Sequence, residues 1–186
     1  YEIFQLTQRV PGDIVELGVF KGNSLIRFLS FRDLIKLKKK RVIGFDAFGN
    51  FPKQTIKEDN KFAKDHDKFI GKGYSIAKIE QSLKNKKIKN FKLVKGNIMK
   101  TLPDFLKRIK KFKISFLHLD LDVYEPTKFV LNKLYNRVSK NGVILIDDYG
   151  EIKGATKATN EFLRMNKKLK IKTLKFDKRL KFIIKK

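Results

Sequence analysis

Two sets of acidic residues stand where this chain could do chemistry. The first is spread around a turn: Glu16-Leu17-Gly18-Val19-Phe20-Lys21-Gly22-Asn23-Ser24 follows the apolar pair Ile14-Val15 and precedes a helical pattern. That order reads as strand, glycine turn, helix, and glycines let a ligand approach the backbone closely. A dinucleotide-binding loop would carry three glycines as G-x-G-x-x-G. Here only Gly18 and Gly22 are present, and Glu16 stands where a pyrophosphate would be repelled. A nucleoside ligand with a cationic amino-acid end fits better, which makes S-adenosylmethionine the expected cofactor. The bland alternative is a tight connection without function. A second acid weighs against it, because Arg41-Val42-Ile43-Gly44-Phe45-Asp46 ends 30 residues beyond Glu16, the length of one strand–helix–strand unit. In open parallel sheets the ligand lies beyond the carboxyl ends of the strands, where an acid can hold ribose hydroxyls. Glu16 and Asp46 are therefore expected to project into one crevice.

The second set is denser. His118-Leu119-Asp120-Leu121-Asp122-Val123-Tyr124 and Ile146-Asp147-Asp148-Tyr149 close two later apolar runs. Carboxylates this close repel one another unless something neutralises them. An all-oxygen cluster suits a hard cation, and Mg²⁺ needs few protein ligands beside water and substrate. The expected ligands are Asp120, Asp147 and Asp148, with Asp120 also the best-placed general base. Asp122, just before Glu125-Pro126-Thr127, reads as a helix N-cap, and His118, alone in an apolar run, as a core residue.

The elements that must carry these residues alternate. Strands are expected at 13–19, 41–47, 91–96, 113–121 and 142–148, and helices at 23–38, 75–86, 102–111, 125–139 and 154–167. Runs such as Val143-Ile144-Leu145-Ile146 are apolar on both faces, as buried parallel strands are. Thr101 with Pro103 marks one helix start, and Asn141-Gly142 follows a helix ending near Ser139. Two last strands, 170–176 and 180–185, are separated only by Asp177-Lys178-Arg179, which forces an antiparallel hairpin. The expected fold is a Rossmann-like, doubly wound α/β domain with a mostly parallel seven-stranded sheet and a C-terminal antiparallel hairpin. This is the architecture of class I methyltransferases. The polar stretch from Gly49 to Gly73 is expected to be a lid-like loop beside the ligand, and its Asp65-His66-Asp67 a solvated stretch rather than a metal site.

Composition sets the outer bounds. At 186 residues and 41% hydrophobic, with 17 Phe, the chain is a single domain with ample core. It has no apolar run long enough to span a membrane and no signal-peptide pattern, so a cytoplasmic location is expected. It opens mid-pattern at Tyr1-Glu2-Ile3-Phe4 without an initiator Met, so a missing N-terminal segment is expected. Cysteine is absent, which removes disulfides, thiolate metal sites and cysteine nucleophiles. The formal charge of +26 invites a nucleic-acid reading. However, 37 Lys stand against 8 Arg, spread along the whole chain. Phosphate and base recognition favours the guanidinium, so a solvated lysine face is the preferred reading.

Pro11-Gly12-Asp13-Ile14-Val15-Glu16-Leu17-Gly18-Val19, Asp46-Ala47-Phe48, Leu119-Asp120-Leu121-Asp122-Val123-Tyr124-Glu125-Pro126-Thr127 and Ile146-Asp147-Asp148-Tyr149 together resemble the macrocin O-methyltransferase family. The resemblance runs from about Pro11 to Phe162. It implies a metal-dependent sugar O-methyltransferase of antibiotic or surface-glycan pathways. More distantly, the Glu16-to-Ser24 loop and the aspartate pair resemble catechol O-methyltransferase. By this resemblance Glu16, Gly18, Gly22 and Ser24 would hold the methionine part of the cofactor, Asp46 the ribose, and Gly96-Asn97 the adenine end. Mg²⁺ would bind two adjacent sugar hydroxyls. A small-molecule or glycan sugar is the expected acceptor and a homodimer the expected assembly. Two other readings stay open: a nucleic-acid methyltransferase that uses the basic surface, and a non-catalytic cofactor-binding module.

Overall fold

The computed structural model describes residues 1–174 and 177–186. Seven strands form one sheet in the order β3-β2-β1-β4-β5-β7-β6. The strands are β1 (Asp13–Leu17), β2 (Val42–Asp46), β3 (Phe91–Lys95), β4 (Ile114–Leu119), β5 (Val138–Ile146), β6 (Lys172–Thr173) and β7 (Lys181–Ile184). The first five pair in parallel, while β7 pairs antiparallel with both β5 and β6. The expected seven-stranded sheet with its antiparallel hairpin is what forms. Positions 175 and 176 of the expected sixth strand lie outside the described residues.

Among the described residues, seven α-helices accompany the sheet: α1 (Glu2–Gln5), α2 (Asn23–Leu34), α3 (Lys57–Phe69), α4 (Ile76–Asn85), α5 (Ile98–Arg108), α6 (Tyr124–Leu134) and α7 (Lys153–Met165). Period-two alternation along the strands supplies two cores, one on each face. Ile14, Phe116, Val143 and Leu145 pack with Leu25 and Leu29 of α2 and Ile79 and Leu83 of α4. Val15, Leu17, Leu117, Ile144 and Ile146 pack with residues of α5, α6 and α7, among them Leu102, Val130, Leu134 and Phe162. All six residues of β4 are buried, its apolar residues on both faces and Ser115 and His118 among them. The edge strand β3 exposes Lys92 and Lys95, charges that discourage a further strand from pairing there.

Three elements differ from the sequence expectation. The stretch from Gly49 to Gly73 contains the 13-residue helix α3, whose buried Asp59 and Ala63 lie one turn apart. An acid among the inward positions disguises the helical period. α5 begins at Ile98 rather than near 102, because Asn97 Oδ1 accepts the Met99 amide at 2.9 Å and caps it. β5 begins at Val138, where a helix was expected; the register of β4 against β5 shifts between Ile114 and Phe116, and Asn141 takes a left-handed φ of 63°.

Candidate active site

The sheet changes winding direction at β1, which lies between β2 and β4. Beyond the carboxyl ends of these strands opens a cavity of about 370 Å³. Such a topological switch point is where open α/β sheets take ligands.

Gly18 makes this junction possible. It has φ 91°, and a Cβ built there would lie 1.7 Å from the carbonyl oxygen of Asp120. The Asp120 amide in turn donates to Leu17 O at 2.9 Å. The glycine turn and the first aspartate of the acidic set are thus held in backbone contact. Gly22, at φ 84°, is the N-cap of α2. Asp46 closes the same turn: its Oδ2 accepts the amides of Val19 at 2.8 Å and Phe20 at 2.9 Å, and its Oδ1 accepts that of Phe48 at 2.6 Å. Gly18, Asp46, Gly96, Asn97 and Asp120 all line the cavity.

Glu16, Gly22 and Ser24 are not part of that wall. Glu16 was expected to face the crevice with Asp46, yet it is fully buried in the sheet. The reason is its register partner. Glu16 lies directly opposite His118 on β4, and the two side chains meet with Glu16 Oε1 3.1 Å from His118 Nδ1. The second Glu16 oxygen has no hydrogen-bond partner in the described residues. Burial raises the Glu16 carboxyl above its usual range, although His118 pulls the other way. On its far side, His118 Nε2 lies 3.9 Å from Asp147 Oδ1. Burial opposes a charge on His118, but the carboxylates of Asp147, Glu16 and Asp120 outweigh it and push the imidazole up to about 10. His118 is in the core, as expected, but as the centre of a charged line across three strands.

Three carboxylates converge beside the cavity, and two of them, Asp120 and Asp122, line it. Asp120, Asp122 and Asp148 each offer an oxygen within 4.8 Å of the others. Asp147, expected in this cluster, instead points toward His118 and is half exposed. Asp122 takes the place foreseen for Asp147 and not the N-cap role foreseen from sequence. It is left-handed at φ 62°, its amide donates to Asp148 Oδ2 at 3.0 Å, and Val123 is the N-cap of α6. Burial, with repulsion from the neighbouring acids, raises all three carboxyls; for Asp120, well above the usual range against the pull of His118. Asp147 moves oppositely, lowered by its interaction with His118.

The helix α3 and the segment before it roof the cavity. Phe51, Pro52, Gln54, His66 and Asp67 face it. Asp67 accepts the Phe51 amide at 3.0 Å, and the rings of Phe20, Phe51 and Phe62 surround His66. Asp65-His66-Asp67 sits on the helix, where consecutive side chains diverge, and builds no metal site. The roof is closed at its neck: Gly73 N donates to Gly49 O and Tyr74 N to Phe20 O, each at 2.9 Å.

A family profile described as macrocin-O-methyltransferase (TylF) matches residues 4–183. The chain belongs to that family. Its curated relatives include a demethyldecarbamoylnovobiocin O-methyltransferase of Streptomyces niveus, 28% identical over 75% of this chain and 53% of its own length. A mycinamicin III 3''-O-methyltransferase of Micromonospora griseorubida is 26% identical over 77% of this chain and 58% of its own. The chain thus spans a little over half the length of these relatives. Among solved structures, the O-methyltransferase NovP superposes with a TM-score of 0.85 at 23% identity, covering 99% of this chain and 78% of NovP. That likeness shows the shared fold. No helix among the described residues is long and apolar enough to cross a membrane.

Proposed function

We propose that this chain is an S-adenosylmethionine-dependent, Mg²⁺-dependent O-methyltransferase acting on a sugar hydroxyl. One observation carries the reading: three carboxylates converge, and two of them, Asp120 and Asp122, share a cavity wall with Asp46, Gly96 and Asn97. Carboxylates that hold one another's protons on lack positive charge, and a hard oxygen-loving cation fits that lack. The cavity volume lies within the range of small-molecule sites. The sugar acceptor is proposed from the named activities of the relatives.

Asp46 would accept ribose hydroxyls with lone pairs left free by its three amide contacts, and Gly96 and Asn97 would flank the adenine end. Asp120, Asp122 and Asp148 would hold the metal. When bound, S-adenosylmethionine supplies an electrophilic methyl and Mg²⁺ the charge that acidifies a hydroxyl. Asp120, at the cavity wall, would take the proton from the acceptor as general base. The roof would keep water from the cavity.

Titration calorimetry with S-adenosylmethionine tests the cofactor part. Asp46→Ala should weaken binding at least about tenfold, since hydrogen bonds to a charged group are worth roughly 1.5–3 kcal/mol. Unchanged affinity would remove Asp46 from the site. Labelled methyl transfer to a panel of nucleotide-linked deoxyhexoses, glycans and RNA tests the acceptor. Transfer to RNA that survives moderate salt, with none to any sugar, would overturn the sugar reading.

A further inference from the structure

The N-terminus of α6 follows directly on the acidic loop, yet no side chain of its own caps it. Its first amide, Tyr124 N, donates instead to Asp59 Oδ2 at 2.8 Å, from a residue 65 positions earlier in the roof helix α3. Asp59 is buried, 6% exposed. A second contact joins the same two parts with the donor reversed: Thr55 N, in the roof, donates to Glu125 Oε2 of α6 at 3.3 Å. The α7 side of this junction is shaped to admit Asp59. A Cβ at Gly154 would lie 2.7 Å from Asp59 Oδ1 and 2.7 Å from Tyr124 N, although Gly154 has no left-handed backbone that would itself require glycine.

The turn that Asp59 grips is the one that carries Asp122. Three successive anchors hold it: Asp122 N on Asp148 Oδ2, Asp122 O on Ala155 N at 3.2 Å, and Tyr124 N on Asp59. A left-handed non-glycine residue such as Asp122 persists only where its surroundings fix it. An anion placed on the first amides of a helix is favoured by the unsatisfied N–H groups and the helix dipole.

We infer that Asp59 is a positioning residue that fastens the cavity roof to the acidic loop, so that roof closure and the placing of Asp122 are one event. When the roof is down, Asp59 completes α6 and fixes the turn before it. When the roof lifts, the amide loses its partner and the turn one of its three anchors. Binding under the roof and ordering of the carboxylates therefore support each other. Only the ligand readout below rests on the proposed cofactor site; the exchange readout needs no ligand.

Amide hydrogen exchange on the whole chain, followed by calorimetry with S-adenosylhomocysteine, tests this. In Asp59→Ala the amides of Tyr124 and of residues 54–63 should exchange at least tenfold faster together, with those of β1 and β4 unchanged. Affinity for S-adenosylhomocysteine should fall about tenfold. Asp59→Asn keeps an oxygen that accepts the Tyr124 amide, so it should restore both readouts to within threefold of the parent. Gly154→Ala, which intrudes on the same junction while leaving the carboxylate intact, should behave like Asp59→Ala and carries the test should that variant not fold. Faster exchange in the roof without Tyr124, or unchanged exchange at both, overturns the coupling. Failure of the parent protein to bind S-adenosylhomocysteine, with the exchange pattern as expected, would fault the cofactor reading and leave the coupling standing.

Discussion

Glu16 Oε1 lies 3.1 Å from His118 Nδ1, on adjacent parallel strands in direct register, and both residues are buried. Each is the other's hydrogen-bond partner, so removing either alone strands a buried polar group of the other. His118→Leu should therefore cost about 3 kcal/mol, the scale for breaking a buried pair. The double variant Glu16→Leu/His118→Leu should recover at least about 1 kcal/mol of that loss. Urea unfolding of the four proteins in the cycle gives the coupling directly, and strictly additive losses would show that the two side chains act independently.

The clustered acids set the pH dependence. Asp120, Asp122 and Asp148 hold protons more tightly when folded than unfolded, Asp122 up to about 7 and Asp148 to about 6. Between pH 4 and these values the folded chain binds the extra protons, so its stability falls as pH rises, by up to about 1.4 kcal/mol per pH unit for each proton. His118, raised to about 10, acts in the same direction above its unfolded value near 6.5. Asp147 acts oppositely but only in acid, where its contribution fades as pH falls through its lowered value. In chelator, the melting temperature should be higher at pH 6 than at pH 8, and Mg²⁺ should narrow the gap by stabilising the ionised carboxylates. A melting temperature that climbs with pH in chelator would refute this account.

The proposed metal ligands can be ranked. Asp120 and Asp148 belong both to the set expected from sequence and to the cluster in the fold. Asp120→Asn or Asp148→Asn should each weaken Mg²⁺ at least about tenfold, a loss of about 1.4 kcal/mol. Asp122→Asn should follow them, while Asp147→Asn, whose side chain faces His118, should stay within threefold. Isothermal titration with Mg²⁺ measures all four. An undiminished affinity in Asp148→Asn would end the metal reading, and a larger loss at Asp147 than at Asp122 would give the third place to Asp147.

Gly18 and Gly49 make a matched pair of substitutions. Gly18→Ala adds a methyl onto the Asp120 carbonyl at a left-handed position; the backbone conformation alone costs roughly 1–2 kcal/mol, and the overlap adds to it. At Gly49 nothing lies within 4 Å and φ is not left-handed, so Gly49→Ala should change stability by less than about 0.5 kcal/mol. Denaturant midpoints compare the two, and equal effects would contradict the close approach of the glycine turn to Asp120.

The sheet was readable in the sequence because its signals are local. The apolar run of β4 and the short Asp177-Lys178-Arg179 link dictate a buried parallel strand and a terminal hairpin without reference to anything distant. The acids were readable as a group, but their directions were not fully worked out. Asp147 and Asp148 lie just past the end of β5 and turn to different partners, while Asp122 joins Asp120 through a left-handed turn past the end of β4. No local pattern signals that turn. Glu16 and Asp59 were beyond such reasoning. The burial of Glu16 depends on the register of β1 against β4, and the partner of Asp59 lies 65 residues away. Long-range pairing decides both, and no window along the chain contains it.

The two backbone bonds that join Gly49 to Gly73 and Phe20 to Tyr74 also make much of the roof an interchangeable part. With the neck clamped, the excursion can change length without disturbing the strand ends so long as Asp59 still reaches Tyr124 N. Doubling its length adds only about 0.6 kcal/mol of closure entropy. Descent with modification could therefore refit this scaffold to bulkier or slimmer acceptors by resizing the insert between fixed ends, around that one retained contact.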